Sequence, residues 1–282
     1  MTNQPTRETA LFALNGELCV KCGACVRDCA FRALKTGPEG FPVMPDEAKC
    51  MHCQHCFAIC PKGAITFSGH EASEAEPVRS LAIPKPEEVE NWLKTRRSIR
   101  RYRDADVDRS ALERILKSLG NVPTGCNARG LTFSCYPDRA SMNAFRHRFV
   151  EALESHRDGG KLLPRWLAIP AIKLRKGGED ILFRGATGML VVSSDERNPA
   201  VTTPKEDVIL ALACFELLAE ANGIGTCWCG FLNLAQGEVP EISDKVLGLR
   251  RGTPFYAMLF GLPAVSYPRT VVRESDAKVE WR

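Results

Sequence analysis

The sequence lacks several features that would each define a class of protein. Its longest unbroken apolar run covers positions 208–215, far below the roughly 20 residues that a membrane-spanning helix needs. The first 15 residues carry no basic start followed by an apolar stretch of signal-peptide length. We therefore expect a cytoplasmic protein with no membrane partner.

Neither sign of charge is in large excess, and the formal net charge is +4. That value is too small to indicate a nucleic-acid partner, and we expect none. Five arginines nevertheless fall between positions 96 and 103, and such a local cluster indicates a single anionic group held by guanidinium forks. The alternative is a zinc protein that uses this run to bind nucleic acid with strong salt dependence.

Catalytic signatures are also scarce. No Ser/His/acid triad or carboxylate pair stands out, so no catalytic residue is predicted and its identity stays unknown. No βαβ unit for a dinucleotide is visible, because the one G-x-G, at Gly223 and Gly225, follows a predicted helix instead of a strand.

Cysteine, in contrast, is abundant and regularly placed. The chain has 13 cysteines, eight of them between positions 19 and 60. Disulfides are rare in a reducing compartment, so this concentration more often binds metal. Two groups share the spacing C-x2-C-x2-C-x3-C: Cys19, Cys22, Cys25 and Cys29, then Cys50, Cys53, Cys56 and Cys60.

Residues 17–67 resemble a bacterial ferredoxin with two 4Fe–4S clusters, because each group has the ferredoxin spacing. In that pattern the fourth cysteine of each run ligates the other cluster. The resemblance implies one-electron transfer and two ligand sets: Cys19, Cys22, Cys25 and Cys60 for one cluster, and Cys50, Cys53, Cys56 and Cys29 for the other.

Structural zinc is the alternative to iron and sulfur, but zinc sites usually combine two separated C-x2-C pairs. One departure from the ferredoxin pattern is Ala30, where Pro usually follows the fourth cysteine. His52 and His55 flank ligands of the second group, and we expect them to face solvent.

The composition divides the 282 residues into three parts. Residues 1–70 have little aliphatic core and need an internal staple to fold. Residues 71–88 turn to Glu, Ala, Ser, Pro and Lys, which predicts a linker. Residues 89–282 form a second domain whose helices and strands do not alternate strictly, so we predict an α+β fold.

Three helices of this second domain are predicted from pattern. One starts at Pro86, with Val89, Trp92 and Leu93 on one face. A second is predicted from the resemblance of Ser110-x-x-Glu113 to a capping box.

The third predicted helix has Thr203 as its N-cap and Asn222-Gly223 as its stop. Residues 208–221 are apolar on nearly every face, which is typical of a large core or a subunit interface. Strands are predicted at 131–136, 189–193 and 256–262.

Five segments of the second domain, in order, resemble the nitroreductase family of FMN oxidoreductases. They are Arg96-Arg97-Ser98-Ile99-Arg100; Pro123-Thr124-Gly125-Cys126-Asn127; Phe183-Arg184-Gly185-Ala186; residues 223–230; and Phe260-Gly261-Leu262-Pro263 with Tyr267-Pro268-Arg269. Thr124 stands where Ser is usual, and Thr187 where Pro is usual.

The resemblance implies a bound FMN. It places the first segment and Arg269 at the flavin phosphate, with Arg273 in reserve. It places the loop 123–127 against the flavin of the partner subunit and residues 223–230 against the ring, where glycine lets backbone amides come close. The expected cofactor-binding residues are Arg96, Arg97, Ser98, Arg100, Pro123, Thr124, Gly125, Asn127, Thr226, Cys227, Cys229, Gly230 and Arg269.

Family members are intertwined homodimers, so the resemblance predicts that residues 208–221 pack at the subunit interface. The five cysteines outside the two groups have no metal spacing. A redox disulfide between Cys227 and Cys229 is a weaker hypothesis, because two cysteines so close in one chain close awkwardly.

Together the two resemblances predict an oxidoreductase that passes electrons through two clusters to FMN and on to a small-molecule acceptor. The donor is a ferredoxin, a flavodoxin or NAD(P)H. The acceptor is a nitroaromatic, a quinone, an activated alkene or a halogenated aromatic, and residues 151–179 are expected to shape its pocket. A redox-sensing or electron-relay protein without its own substrate is the alternative.

Overall fold

The computed structural model describes residues 10–195, 197–272 and 277–282. Most of the N-terminal segment tested for a signal peptide, and the reserve phosphate ligand Arg273, lie outside the described residues. The chain forms two compact units, Met1–Pro84 and Lys85–Arg282, and their boundary falls within the segment that composition predicts as a linker. None of the described helices is long and apolar enough to cross a membrane.

The first unit consists of two short antiparallel ribbons and two short helices. Its elements are β1 (Phe12–Leu14), α1 (Ala24–Asp28), β2 (Lys35–Thr36), β3 (Pro42–Val43), α2 (His55–Ile59) and β4 (Ile65–Phe67). Strand β1 pairs with β4, and β2 pairs with β3. Among the described residues, the core cluster comprises Cys25, Leu34, Cys56, Ile65 and Phe67, with Ala33 and Ala64 also buried. This is too little apolar burial to stabilise such a unit without an internal staple.

The second unit is built around a four-stranded sheet. Its elements are α3 (Pro86–Thr95), α4 (Arg109–Ser118), β5 (Leu131–Tyr136), α5 (Arg139–Asp158), α6 (Arg165–Arg175), β6 (Gly188–Ser194), α7 (Pro204–Ala221), β7 (Gly225–Trp228), α8 (Gly230–Glu238) and β8 (Phe255–Gly261), with a π-helical turn at Ile242–Val246. The strand order is β5-β6-β8-β7, and every neighbouring pair is antiparallel. The predicted α+β class is confirmed.

Helices cover both faces of this sheet, so its central strand is buried on both sides. In β6, Met189 and Val191 pack into the core with α5, α6 and α8, whereas Leu190 and Val192 pack into the core with α4 and α7. This alternation is the two-residue period of a strand. A strand buried on both faces has no polar side, so β6 is a nearly continuous apolar run.

The predicted strands agree closely with the sheet, with one omission. Strand β5 has the predicted bounds, and β6 and β8 differ by one residue at their ends. Residues 225–228, predicted as a loop, instead form β7. Gly225 is needed there for space, because a Cβ would lie 2.7 Å from a side-chain carbon of Ile99. The glycine therefore indicates close packing and not a turn.

The predicted capping box at Ser110 is wrong, because the helix begins two residues earlier. The N-cap of α4 is Asp108, whose carboxylate accepts a hydrogen bond of 2.9 Å from the backbone amide of Ala111. The Ser110 hydroxyl donates to the same carboxylate at 2.6 Å, so Ser110 lies inside the first turn.

Helix α7 begins after Thr203 as predicted, but its N-terminus is held differently. The Thr203 hydroxyl donates to the carboxylate of Asp207 at 2.9 Å and caps no backbone amide. Sequence analysis did not assign the two helices α5 and α6, which include most of residues 151–179. In α3, the predicted apolar face stays outside the core, with Val89 and Leu93 exposed.

Candidate cofactor sites

Four cysteines of the first unit line one cavity: Cys19, Cys22, Cys25 and Cys60. The loop that carries the first three turns back on itself because Lys21 and Gly23 have left-handed backbones, with φ of 53° and 68°. The backbone amide of Ala64 donates to the Cys60 sulfur at 3.2 Å. Three thiols from one loop and a fourth from a distant turn therefore face one space.

The other four cysteines of this unit line a second cavity: Cys29, Cys50, Cys53 and Cys56. Its loop repeats the conformation of the first, with left-handed His52 and Gln54 at φ of 55° and 61°. The structure thus brings together the same two sets of four that the cysteine spacing predicts.

Both cavities fit a 4Fe–4S cluster better than a single ion. A zinc ion at about 2.3 Å from each thiolate would draw the sulfurs to within roughly 4 Å of one another. Within the described ranges, no three His, Cys, Asp or Glu side chains are grouped closely enough for one metal ion. Loops in which left-handed residues recur can present successive amides to an anionic cluster.

The two histidines of the second group lie on the surface, as expected. The Nδ1 atom of His55 lies 3.1 Å from a carboxylate oxygen of Asp28. The rings of His52 and Phe67 pack edge to face. Burial raises the pKa of the neighbouring Cys56 thiol to about 11, so ionisation of that thiol depends on a cation in the cavity.

In the second unit, the arginine-rich residues 96–103, here called the basic segment, run beside the edge strand of the sheet. The backbone of Ser98 bridges to Thr226, and the Ile99 amide donates to the Thr226 carbonyl at 2.7 Å. The segment therefore lies beside β7, so two of the five family-like segments meet.

The arginines of this segment have different environments. Arg96 donates to the buried carboxylate of Glu216 at 3.1 Å, so much of its charge is already compensated. Arg97 has a buried Nη2 with no hydrogen-bond partner among the described residues. An unpaired buried guanidinium nitrogen is costly and fits a site whose anion is supplied by a ligand.

Glu216 organises this region, although sequence analysis assigned it no role. Its carboxylate also accepts a hydrogen bond of 3.2 Å from the Trp228 indole and lies 3.5 Å from the Thr226 hydroxyl. The only signal in the sequence was an acidic residue interrupting an apolar helix. A buried acid in such a helix indicates a cationic partner, but the partner is 120 positions away.

The loop 123–127 is fixed at the opposite end of α7. The Gly125 amide donates to the buried Asp207 carboxylate at 2.9 Å. Gly125 has no room for a side chain, because a Cβ would lie 2.1 Å from the Thr203 hydroxyl oxygen. Thr124 accepts from the amide of Arg129 at 3.0 Å, so its hydroxyl helps to shape the loop.

The two groups of predicted FMN residues are therefore separated within one chain. Asp207 holds the loop, and Glu216 holds the basic segment. These acids are nine positions apart on one helix, or about 13 Å along its axis. One protomer does not bring Thr124 and Asn127 to the same place as Arg96 and Thr226.

Several of the predicted residues do meet, in an open cleft of about 300 Å³. The lining includes Arg100, Cys227, Trp228, Cys229 and Gly230, together with Leu182, Arg184, Phe231, Leu234 and Leu259. Arg184 belongs to a family-like segment but was not predicted to bind the cofactor. The lining holds two arginines and no acid.

The two cleft cysteines are neutral thiols. Burial raises the pKa of Cys227, and the nearby Arg100 guanidinium offsets part of that rise. Burial also raises the pKa of Cys229 to about 12. Burial disfavours the thiolate form of both residues, and a redox disulfide between them stays a hypothesis.

Arg269 is exposed, in the segment that follows β8, and no described hydrogen bond or ion pair connects it to the basic segment. A role at the flavin phosphate therefore stays a prediction for this residue.

Comparison with known proteins agrees with both units. Residues 93–262 match the sequence model of the nitroreductase family, and residues 18–64 match that of a 4Fe–4S dicluster domain. A nitroreductase with bound FMN from Bacteroides fragilis NCTC 9343 superposes with a TM-score of 0.53 over 68% of this chain and 99% of its own, at 20% identity. That likeness is one of fold.

Curated relatives match shorter stretches. A ferredoxin of Pyrobaculum islandicum is 38% identical over 64 residues, which are 23% of this chain and 55% of the ferredoxin. An archaeal-type glutamate synthase (NADPH) of Thermotoga maritima is 34% identical over 76 residues, which are 27% of this chain and 14% of the synthase. The chain therefore spans a small part of the synthase and about half of the ferredoxin.

An α+β unit with a cationic cleft, joined to a unit with two cysteine quartets, defines an iron–sulfur flavoprotein. The chain belongs to the nitroreductase family, whose model covers more than half of it. Its second unit is accordingly an FMN-dependent oxidoreductase domain, and its first is a 4Fe–4S dicluster domain.

Proposed function

We propose that this protein passes electrons from a donor through two 4Fe–4S clusters to FMN and on to a small organic acceptor. The observation that carries the proposal is the pair of complete cysteine quartets, each around its own cavity, in one chain with a nitroreductase-family domain. A flavin domain reduced only by NAD(P)H has no need of such clusters. A ferredoxin or flavodoxin is therefore the favoured donor, and NAD(P)H the second.

Clusters of this type carry single electrons, and FMN exchanges one or two. The protein's residues supply position and charge. Cys19, Cys22, Cys25 and Cys60 hold one cluster, and Cys50, Cys53, Cys56 and Cys29 hold the other. Arg97, Ser98 and Arg100 bind the flavin phosphate, with Arg96 oriented by Glu216.

The acceptor binds over the flavin in the cleft. The apolar side chains of Leu182, Phe231 and Leu234 line it and suit a small organic molecule, such as a nitroaromatic, quinone or activated alkene. Two electrons and two protons pass to the acceptor. The protons come from water, because the buried thiols nearby hold theirs tightly.

The active form is a homodimer. Loop 123–127 lies at the other end of α7 from the basic segment of its own chain, an arrangement that suits a loop contributed to the partner's flavin across a subunit interface. Helix α7 offers a suitable surface, since Ile209 and Leu210 are 42% and 46% exposed on an otherwise apolar helix. We place the protein in the cytoplasm, where a reducing environment would keep the thiols of its thirteen cysteines available to bind clusters.

The test is an anaerobic preparation of the full chain assayed with a reduced ferredoxin and a nitroaromatic acceptor. We expect about eight irons and one FMN per chain. Replacing the exposed ligand Cys22 (Cys22→Ser) should lower iron and ferredoxin-driven turnover together, while FMN stays bound. Cys135→Ala, which removes a thiol of β5 far from the clusters in sequence, is the matched control.

Two outcomes would contradict the proposal. Full ferredoxin-driven turnover by the iron-poor Cys22→Ser protein would remove the clusters from the electron path. Normal iron and FMN without turnover of any acceptor would favour the redox-sensing or relay alternative.

A further inference from the structure

Arg184 lies in the cleft and, like Arg100, has no acidic partner among the described residues. Most other arginines that approach the core are paired, as Arg96 is with Glu216, Arg146 with Asp180 and Arg139 with Asp104. Within the described residues, no hydrogen bond or ion pair engages the Arg184 guanidinium. The described contact of this guanidinium is with the ring of Phe231, whose centroid lies 6.0 Å from the Arg184 Cζ atom.

The backbone at Arg184 is strained, with a left-handed φ of 56°. A side chain with a Cβ rarely adopts that conformation, which is unfavourable unless the surroundings impose it. Gly185 follows with φ of 65°, so the chain makes two left-handed steps in succession. Strain of this kind clusters at sites where geometry serves a ligand.

A largely buried ion pair imposes this conformation. The Asp180 carboxylate accepts from the amides of Phe183 and Gly185 at 2.8 and 3.2 Å. Arg146 donates to the same carboxylate at 2.8 Å and to the Ala186 carbonyl at 2.7 Å. Both partners have side chains only 11% exposed. These hydrogen bonds therefore hold the loop 180–186, and with it the backbone of Arg184, in one conformation.

An aromatic surface lies beside the guanidinium. Phe231 packs against Trp166 with ring centroids 6.2 Å apart at 31°, and Leu182 and Leu234 add apolar area to the cleft. Since Arg100 is assigned to the flavin phosphate, Arg184 is a second cation that the cofactor does not require. A cation beside aromatic and apolar walls fits a planar ring that carries an anionic substituent.

We propose that Arg184 sets the substrate class of this enzyme: a planar aromatic acceptor that carries a carboxylate. The carboxylate pairs with Arg184 while the ring lies along Phe231. This inference rests on the proposed function, since it requires FMN in the cleft. Arg146 and Asp180 act as positioning residues through the loop they hold.

The test is single-turnover reoxidation of the pre-reduced holoenzyme in a stopped-flow instrument, with 4-nitrobenzoate and nitrobenzene as paired acceptors. In each reaction the nitro group takes two electrons and two protons, one N–O bond breaks, water leaves and a nitroso product forms, while the flavin is oxidised. We expect wild type to favour 4-nitrobenzoate. Arg184→Gln should lower that preference roughly ten- to hundredfold.

Two variants separate charge from fold. Arg184→Lys keeps the charge and imposes the same backbone strain as Arg184→Gln, so it should restore part of the preference. Arg148→Gln changes an exposed arginine of α5 outside the cleft and should match wild type. Bound FMN is quantified for every variant.

The outcomes distinguish the inference from the proposed function. An unchanged preference in Arg184→Gln, or a loss of FMN in that variant, overturns the inference, because Arg184 then has no role or belongs to the cofactor. Slower reduction by NADPH or NADH with an unchanged acceptor preference also overturns it, since the anion is then a nucleotide phosphate. Wild type that holds no FMN refutes the proposed function, and the inference with it.

Discussion

The two units of this chain assemble their sites in opposite ways. In the first, all eight thiols come from positions 19–60, and three of each quartet come from a single turning loop. In the second, the cleft brings together Arg100, Arg184 and Cys227, which are far apart in sequence. A site set by local spacing is readable from the sequence, whereas a site set by packing is visible only in the fold.

The units also differ in what stabilises them. The second has two extensive cores, one on each face of its sheet. In the described part of the first, the core cluster has five residues, two of which are predicted cluster ligands. Metal binding is then part of folding for the first unit and not for the second.

The largest effect should follow from removing iron anaerobically from the full chain with a chelator. We expect the first unit to lose its amide-exchange protection and become sensitive to protease, because its ligands are also its core. The second unit should keep its protection and its FMN. Hydrogen exchange, followed for each peptide, measures this protection. Full protection of residues 10–70 without iron would show that the first unit folds without its metal.

A smaller effect is expected from Glu216→Gln. Removing one partner of a buried ion pair typically costs about 3 kcal/mol, and here Arg96 would lose its carboxylate while the amide could still accept from Trp228. All four tryptophans, at positions 92, 166, 228 and 281, lie in the second unit. Denaturant unfolding followed by tryptophan fluorescence therefore reports on that unit alone.

The control for this variant is Glu113→Gln, which breaks an exposed pair with Arg109 and should cost less than about 1 kcal/mol. Equal destabilisation by the two variants would mean that Glu216 does not organise the basic segment.

The smallest effect is expected at loop 123–127. In Gly125→Ala, the new Cβ would meet the Thr203 hydroxyl, which is itself held by Asp207. The loop must shift, at a cost of about 1–3 kcal/mol, and the proposed contact with the partner's flavin should weaken.

FMN retention after dialysis is the measurement. Gly120→Ala provides the matched control, because nothing lies within 4 Å of its added Cβ. If both variants retain FMN equally, the loop has no part in cofactor binding.

The sequence predicted the elements whose signals are local. Strands β5, β6 and β8 were found because β-branched and aromatic runs are confined to a few residues each. The grouping of the cysteines followed from spacing in the same way. The start of α4 was misplaced because two capping candidates, Asp108 and Ser110, lie close together, and only the hydrogen bonds distinguish them.

Other features have no local signal. Strand β7 contains Gly225, which resembles a turn residue until the close approach of Ile99 is known. The pairing of Arg96 with Glu216 and the left-handed backbone of Arg184 depend on contacts between distant segments. The sequence places Arg184 in a family-like segment but does not indicate a role for its side chain.

The sequence alone thus determined the two cysteine quartets, the α+β class and the order of the family-like segments, because each depends on spacing or periodicity within a short stretch. Only the tertiary structure decided which of the arginines are compensated and which are free to meet a ligand. Charge compensation depends on where distant acids lie in the fold: Glu216 reaches Arg96 and Asp180 reaches Arg146, while no acid lines the cleft that holds Arg100 and Arg184.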